Sequence, residues 1–156
     1  MSEANNKAVI RRFFEDLWNN RNLTAADELF DPECISHQLR SKTKPGGVSR
    51  TAESVKQEIG RWLVGFPDLN FRIEQMISED DRVVTHCTVT GTHKGQWTGI
   101  EPSGNQVDFP MIVIHRLRNG RIVEDWVLVG ALILFQQLGI IQPTEELLAA
   151  ASDQVS

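Results

Sequence analysis

The chain holds only two cysteines, Cys34 and Cys87, and no Cys-x-x-Cys or His-x-x-x-His spacing. That scarcity argues against a disulfide framework and against the usual zinc signatures, so the expectation is two buried, reduced thiols and no metal. No apolar run approaches the ~20 residues that a membrane span needs. The first residues, Met1 to Lys7, lack the apolar core of a signal peptide, which makes the expected location cytoplasmic. Lysine and arginine are scattered along a chain of net charge -5, which argues against a nucleic-acid partner. No repeat, linker or low-complexity segment breaks the sequence. What remains is one soluble domain over residues 1–156, with 40% hydrophobic and 24% charged residues, long enough for a real core.

Helical spacing comes first along the chain. Val9, Ile10, Phe13, Phe14, Leu17 and Trp18 recur on one face of a helix of roughly four turns that ends near Asn19-Asn20. A shorter helix is expected from Leu23 to Phe30, stopped at Asp31-Pro32 because the residue before proline resists helical angles. Cys34 to Leu39 reads as a short strand carrying His37, and residues 41–47 read as a loop. Thr51 caps a third helix with the stripe Val55, Ile59, Trp62, Leu63 and Phe66, closed by Pro67. From Leu69 the period becomes two, and strands follow one another to the hairpin around Asn119-Gly120. Pro110 inside one of them implies an edge position or a bulge. Three helices followed by an antiparallel meander make an α+β domain, with the helices on one face of a curved sheet. The mouth between the two layers is a natural small-molecule pocket, with Trp18, Trp62, Phe66, His37 and Met111 expected on its wall.

The hairpin Met111 to Val127 decides which side chains share a face. A two-residue type I′ turn pairs Arg118 with Arg121 and sets His115 opposite Glu124. A three-residue loop with Gly120 in a bulge pairs Leu117 with Arg121, and it turns Asp125 to the same side as Val113, His115 and Val127. The second register is preferred, because it gathers Arg116, Glu124 and Trp126 on the other face. Both put a histidine beside a carboxylate. The face away from the helices is then expected to carry Ile112, Ile114, Ile122 and Trp126, an apolar area that a homodimer would cover.

Phe66-Pro67-Asp68-Leu69, Asp81-Arg82-Val83-Val84, Gly91-Thr92-His93-Lys94-Gly95, Gly99-Ile100-Glu101-Pro102-Ser103-Gly104 and Arg116 to Trp126 follow one another in a familiar order and spacing. With Gln136-Gln137-Leu138-Gly139, they resemble the SnoaL-like polyketide (ester) cyclases of the NTF2-like superfamily over about residues 6 to 140. The resemblance implies a helix-lined cone over a curved sheet, with residues 141–156 as a tail. It also implies cofactor-free intramolecular aldol chemistry, in which a carboxylate assists proton removal next to a carbonyl. The family's usual strand ending is Glu-His-Trp-Asp, whose Asp is catalytic; here the four residues are Glu124-Asp125-Trp126-Val127. Val127 therefore stands at the catalytic position, Asp125 at the histidine position, and Val113 where a polar residue is frequent.

These residues set the expected chemistry: a small-molecule enzyme without metal or organic cofactor, cyclising or isomerising a hydrophobic, carbonyl-bearing ligand. Asp125 is the expected base, its pKa raised by apolar neighbours, and His115 and His37 the expected donors to the enolate oxygen. Trp18, Trp62, Phe66, His86, Met111, Val113 and Val127 are expected to contact substrate, His86 with a packed wall role as its alternative. Two rivals stay open: a binding protein of the same fold that has lost the chemistry, and a hydrolase or hydroxylase-like relative in which Asp125 activates water.

Overall fold

The computed structural model describes residues 2–39 and 45–155. The first helix, α1, spans Glu3–Arg11, with Ser2 accepting the Asn5 amide as its N-cap. It passes directly into a π-helical segment, Arg12–Asn19. The helix α2 covers Ala25–Leu29 and runs straight into strand β1, Phe30–Gln38. The strand therefore starts four residues earlier than the sequence suggested, because Pro32 sits in an irregularity of the pairing between Phe30 and Ile35. The short β2, Val48–Ser49, precedes α3, Ala52–Gly65, whose cap is Thr51 as expected. Of the loop expected at 41–47, positions 41–44 lie outside the described residues.

Four long strands follow: β3 (Asn70–Glu79), β4 (Arg82–Thr92), β5 (Gln106–Arg118) and β6 (Arg121–Val129). They form one sheet in the order β2-β1-β6-β5-β4-β3. Every pairing is antiparallel except β1 with β6, which is parallel, so the curved sheet is mixed. The parallel pair fixes the facing of β1: Ser36 lies opposite Asp125 and His37 opposite Trp126. Pro110 causes no parity shift, since β4 and β5 pair in one unbroken register and the β6 pairing stops at Met111.

The hairpin takes neither register foreseen. Asn119 and Gly120 both adopt positive φ, 52° and 76°, which is the two-residue turn, and Arg118 pairs with Arg121. One step beyond, the ladder skips Val123, so Leu117 faces Ile122 while Arg116 faces Glu124. The bulge restores the parity that the three-residue loop would have given. His115 and Asp125 end directly opposite each other, both fully buried on the concave face.

The core lies between that face and the helices. Ile10, Phe13, Phe14, Leu17 and Trp18 meet Val83, Cys87, Val113, Leu117 and Ile122. Ile122 is thus a core residue and not part of the outer face, because the bulge turns it inward beside Leu117. The end of α3 is locked to the loop after β4 by Lys94 and Gly95 amides donating to the Gly65 carbonyl. A Cβ on Gly95 would stand 1.9 Å from the Val64 carbonyl oxygen, so the Gly-Thr-His-Lys-Gly motif serves close backbone approach. Two C-terminal helices complete the chain, α4 (Ala131–Gln137) and α5 (Thr144–Asp153). The first buries Leu134 in the core, and the second buries nothing. Among the described residues, no helix is long and apolar enough to cross a membrane.

Candidate functional site

Between helices and sheet lies a cavity of about 850 Å³. Its wall is mostly apolar: Phe13 and Trp18 from the π-helical segment, Trp62 from α3, Trp97 from the connection before β5, and Phe135 from α4. Met111, Val113 and Val127 form part of the sheet side, with Val113 and Val127 paired directly across the strands. The two positions where the resemblance implied polar groups are therefore a matched apolar pair.

One flank of this wall carries a buried ion-pair cluster. Arg50, just before the cap of α3, lines the cavity and is 6% exposed. Its Nη1 donates to Asp125 Oδ2 at 2.8 Å and its Nη2 to Glu58 Oε2 at 3.0 Å. The Phe30 ring lies 5.6 Å from its guanidinium carbon. Burial disfavours the charge on Arg50, but Glu58 and Asp125 outweigh that and hold its pKa up. Asp125 lies beneath it with no exposed surface, and its other oxygen, Oδ1, accepts from Ser36 Oγ at 2.5 Å. Burial pushes the Asp125 carboxyl above the ordinary carboxylate range, while Arg50 and Ser36 pull it back.

His115 stands beside this cluster. It is completely buried, yet neither ring nitrogen has a hydrogen-bond partner among the described residues. Phe13 meets it edge-on at 4.9 Å between ring centres. Burial, helped by the charge on Arg50, depresses its pKa to about 3, so the imidazole is neutral at physiological pH. A buried polar ring without partners costs on the order of 1–3 kcal/mol, and here it belongs to a residue of the cavity lining.

The expected site residues divide accordingly. His115, Trp18, Trp62, Met111, Val113 and Val127 line the cavity. Asp125 is inward as expected, but both oxygens are engaged and it forms no part of the cavity wall, so it positions Arg50. Phe66 is core, stacked on His93 at 5.2 Å behind Trp62. His37 lies on the outer face, because the register with β6 turns Ser36 inward in its place. There it stacks on Trp126 at 5.1 Å, and its Nε2 is 2.8 Å from Glu124. Burial raises the Glu124 pKa, but hydrogen bonds from His37 and Arg116 outweigh it and hold the carboxyl below the usual range. His86 also faces outward, opposite Ile112 and near Gln75, since Thr85 and Cys87 take the inward positions. Burial pushes the Cys34 and Cys87 thiols up to about 12, which removes them as nucleophiles.

Arg50, Glu58, Ser36 and Trp97 are the site residues that sequence reasoning missed. Nothing local marks Arg50; only the parallel pairing of β1 with β6 brings it to Asp125. Trp97 had a faint signal, a large aromatic inside a glycine-rich connection.

Comparison with known proteins agrees with this fold. The profile of the SnoaL-like polyketide cyclase family matches residues 8–138. No curated protein matches the chain. Among solved structures, IdmH of Streptomyces antibioticus, a candidate polyketide cyclase, is 27% identical with a TM-score of 0.73, over 86% of this chain and 98% of that one. AclR of Streptomyces galilaeus, a candidate hydroxylase, superposes with a TM-score of 0.79 at 24% identity, over 99% of this chain and 93% of that one. TsrD of Streptomyces laurentii gives a TM-score of 0.76 at 23% identity, over 90% of this chain and 99% of that one. The last two are likenesses of fold.

Proposed function

Because the chain belongs to the SnoaL-like polyketide cyclase family, we propose that it is an enzyme acting on a hydrophobic, carbonyl-bearing small molecule held in the cavity. The reaction is proton transfer at the carbon next to the carbonyl, leading to ring closure or isomerisation. His115 takes the proton on its free ring nitrogen. The carbonyl oxygen, becoming an enolate, accepts from the buried Arg50 guanidinium. In ring closure the enolate carbon attacks a second carbonyl, and the imidazolium returns its proton to the new alkoxide. Imidazolium and enolate form together, so each charge offsets the other in a dry site. The observation that carries this reading is a buried His115 with both nitrogens unpartnered, in the cavity lining beside an anchored Arg50.

The base expected from the sequence, Asp125, becomes in this reading the residue that orients Arg50. A second reading has its own support: the Val113–Val127 pair is apolar where the resemblance implied polar groups, which favours binding without turnover. The outer face supports a homodimer. A row of Ile77, Val84, Ile114, Trp126 and His37 crosses the sheet there, and neighbouring Ile112 and Leu128 are 43% and 47% exposed.

One experiment separates the two readings of the cavity. A co-purified ligand is identified by mass spectrometry, and exchange of its protons next to the carbonyl is followed by NMR in deuterated water. Wild-type protein should accelerate exchange, and His115→Leu should lose a factor of about 10²–10⁴ while keeping the ligand. Tight binding with no acceleration by the wild type would leave the binding-protein reading.

A further inference from the structure

The cavity opens to solvent along a rim marked by exposed lining residues. Leu39 and Val64 line it while 46% and 62% exposed. Arg61 on α3, and Gln96 and Thr98 in the connection before β5, also line it and are exposed. The deep wall is the opposite, with Phe13, Phe109, Val113 and His115 all buried. Of the five rim residues, Arg61 alone is charged, and it makes no hydrogen bond or ion pair among the described residues.

The helix accounts for this. Glu58, Arg61 and Trp62 stand three and four residues apart on one side of α3, and all three line the cavity. A glutamate three residues before an arginine has the spacing of an intrahelical ion pair. Glu58 forgoes that pair and turns to Arg50, 3.0 Å away. Among the described residues Glu58 is the single carboxylate of the lining, so Arg61 keeps its charge unpaired at the mouth.

The two arginines of the lining therefore differ in kind. Arg50 is buried and already shared by two carboxylates, Asp125 at 2.8 Å and Glu58 at 3.0 Å. A third anion there would stand uncompensated in a desolvated site, so Arg50 suits a neutral carbonyl. Arg61 is exposed, and its guanidinium can pair with a carboxylate through two parallel hydrogen bonds without entering the interior. The neighbouring amides are engaged elsewhere: Gln96 donates to Glu101 and Gln38 to Ser36. A phosphate dianion fits less well, because Glu58 on the same side of the helix repels the second charge.

Resting on the reading of this cavity as a substrate site, we propose that Arg61 binds a carboxylate carried by the ligand, at the mouth and apart from the carbonyl held at Arg50. The ligand is then a keto acid, taken up as the free acid and not as a neutral ester.

6-Acetyl-2-naphthoate and its methyl ester test this by calorimetry at low salt and neutral pH. The wild type should bind the acid about fivefold more tightly than the ester. That advantage should shrink at high salt. Arg61→Gln should remove it while leaving the ester within about twofold of wild type, and Arg61→Lys, which keeps the charge, should retain part of it. An acid preference that survives Arg61→Gln overturns the proposal and moves the anion elsewhere in the cavity. A wild type that binds both probes alike, or prefers the ester, overturns it and leaves the cavity a site for neutral carbonyl compounds. Equal weakening of both probes in Arg61→Gln also overturns it, since that marks packing alone. Tighter binding of 6-acetyl-2-naphthyl phosphate than of the acid overturns the choice of carboxylate. Binding of neither acid nor ester overturns the proposal together with the reading of the site.

Discussion

Replacing His115 by leucine should make the protein more stable and less active, and the change in stability should depend on pH in a calculable way. At pH 7 the variant exchanges a fully buried imidazole, both nitrogens unpartnered, for an apolar side chain of similar size. Removing that unmet polarity should stabilise the fold by about 1–3 kcal/mol. The pH term adds to it. The folded pKa of His115 is about 3 against an ordinary 6.5, so on acidification the unfolded chain takes up the proton first. Stability present above pH 6.5 is therefore lost as the pH falls toward 3, and between pH 7 and pH 5 the loss is about 2 kcal/mol. Asp125 works in the opposite sense, because its raised folded pKa favours the folded form on acidification. It is present in both proteins and cancels in their difference. Urea denaturation at pH 7 and pH 5 reads both terms: the gap between variant and wild type should widen by about 2 kcal/mol at the lower pH. A variant that is less stable at pH 7, with a gap that does not change with pH, would falsify the reasoning. It would mean that His115 is a satisfied structural histidine.

Other expectations follow from the same geometry. Asp125→Asn removes the charge that holds Arg50; it should cost about 3 kcal/mol and raise KM along with lowering kcat, measured by urea denaturation and steady-state kinetics. Ser36→Ala deletes one hydrogen bond to the same carboxylate and should cost about 1–2 kcal/mol by the same denaturation assay, with activity reduced less than in Asp125→Asn. Sedimentation at micromolar concentration should show a species of twice 17.6 kDa, and Ile112→Glu on the outer face should return it to the monomer; a wild type that sediments as a monomer rejects the dimer.

Much of the fold was legible because it rests on period. Helical spacing up to Phe66 and alternation after Leu69 needed no knowledge of long-range pairing. The inward facing of Asp125 was also anticipated, but through the wrong device. Asn119-Gly120 makes the two-residue turn that the dipeptide favours, and the parity change comes from Val123, bulged out of the ladder. A valine in a run of valine and isoleucine carries no mark of a bulge, so counting from the turn fails by one residue. His37 was misplaced for a related reason. Its side depends on the parallel partner β6, nearly ninety positions away, and a strand of alternating Cys34, Ser36 and Gln38 reads equally well either way round.

The harder omission was Arg50, and it changes the chemistry assigned to the site. From the sequence, a carboxylate two residues before the family's usual position suggests a base that has shifted along its strand. In three dimensions that carboxylate meets a guanidinium at 2.8 Å and a serine hydroxyl at 2.5 Å, which leaves it no free oxygen facing a substrate. A buried acid alone would invite proton transfer, whereas a buried acid paired with a buried arginine holds that arginine in one orientation. In the proposed reaction the functional group at the cavity wall is thus the partner, and the unpaired histidine beside it is the group that moves a proton. An apolar Val127 and an anchored Arg50 beside His115 are compatible with the proposed reaction class run from one corner of the cone. The pH-dependent gap between wild type and His115→Leu decides whether that corner holds strained functional polarity or an ordinary core residue.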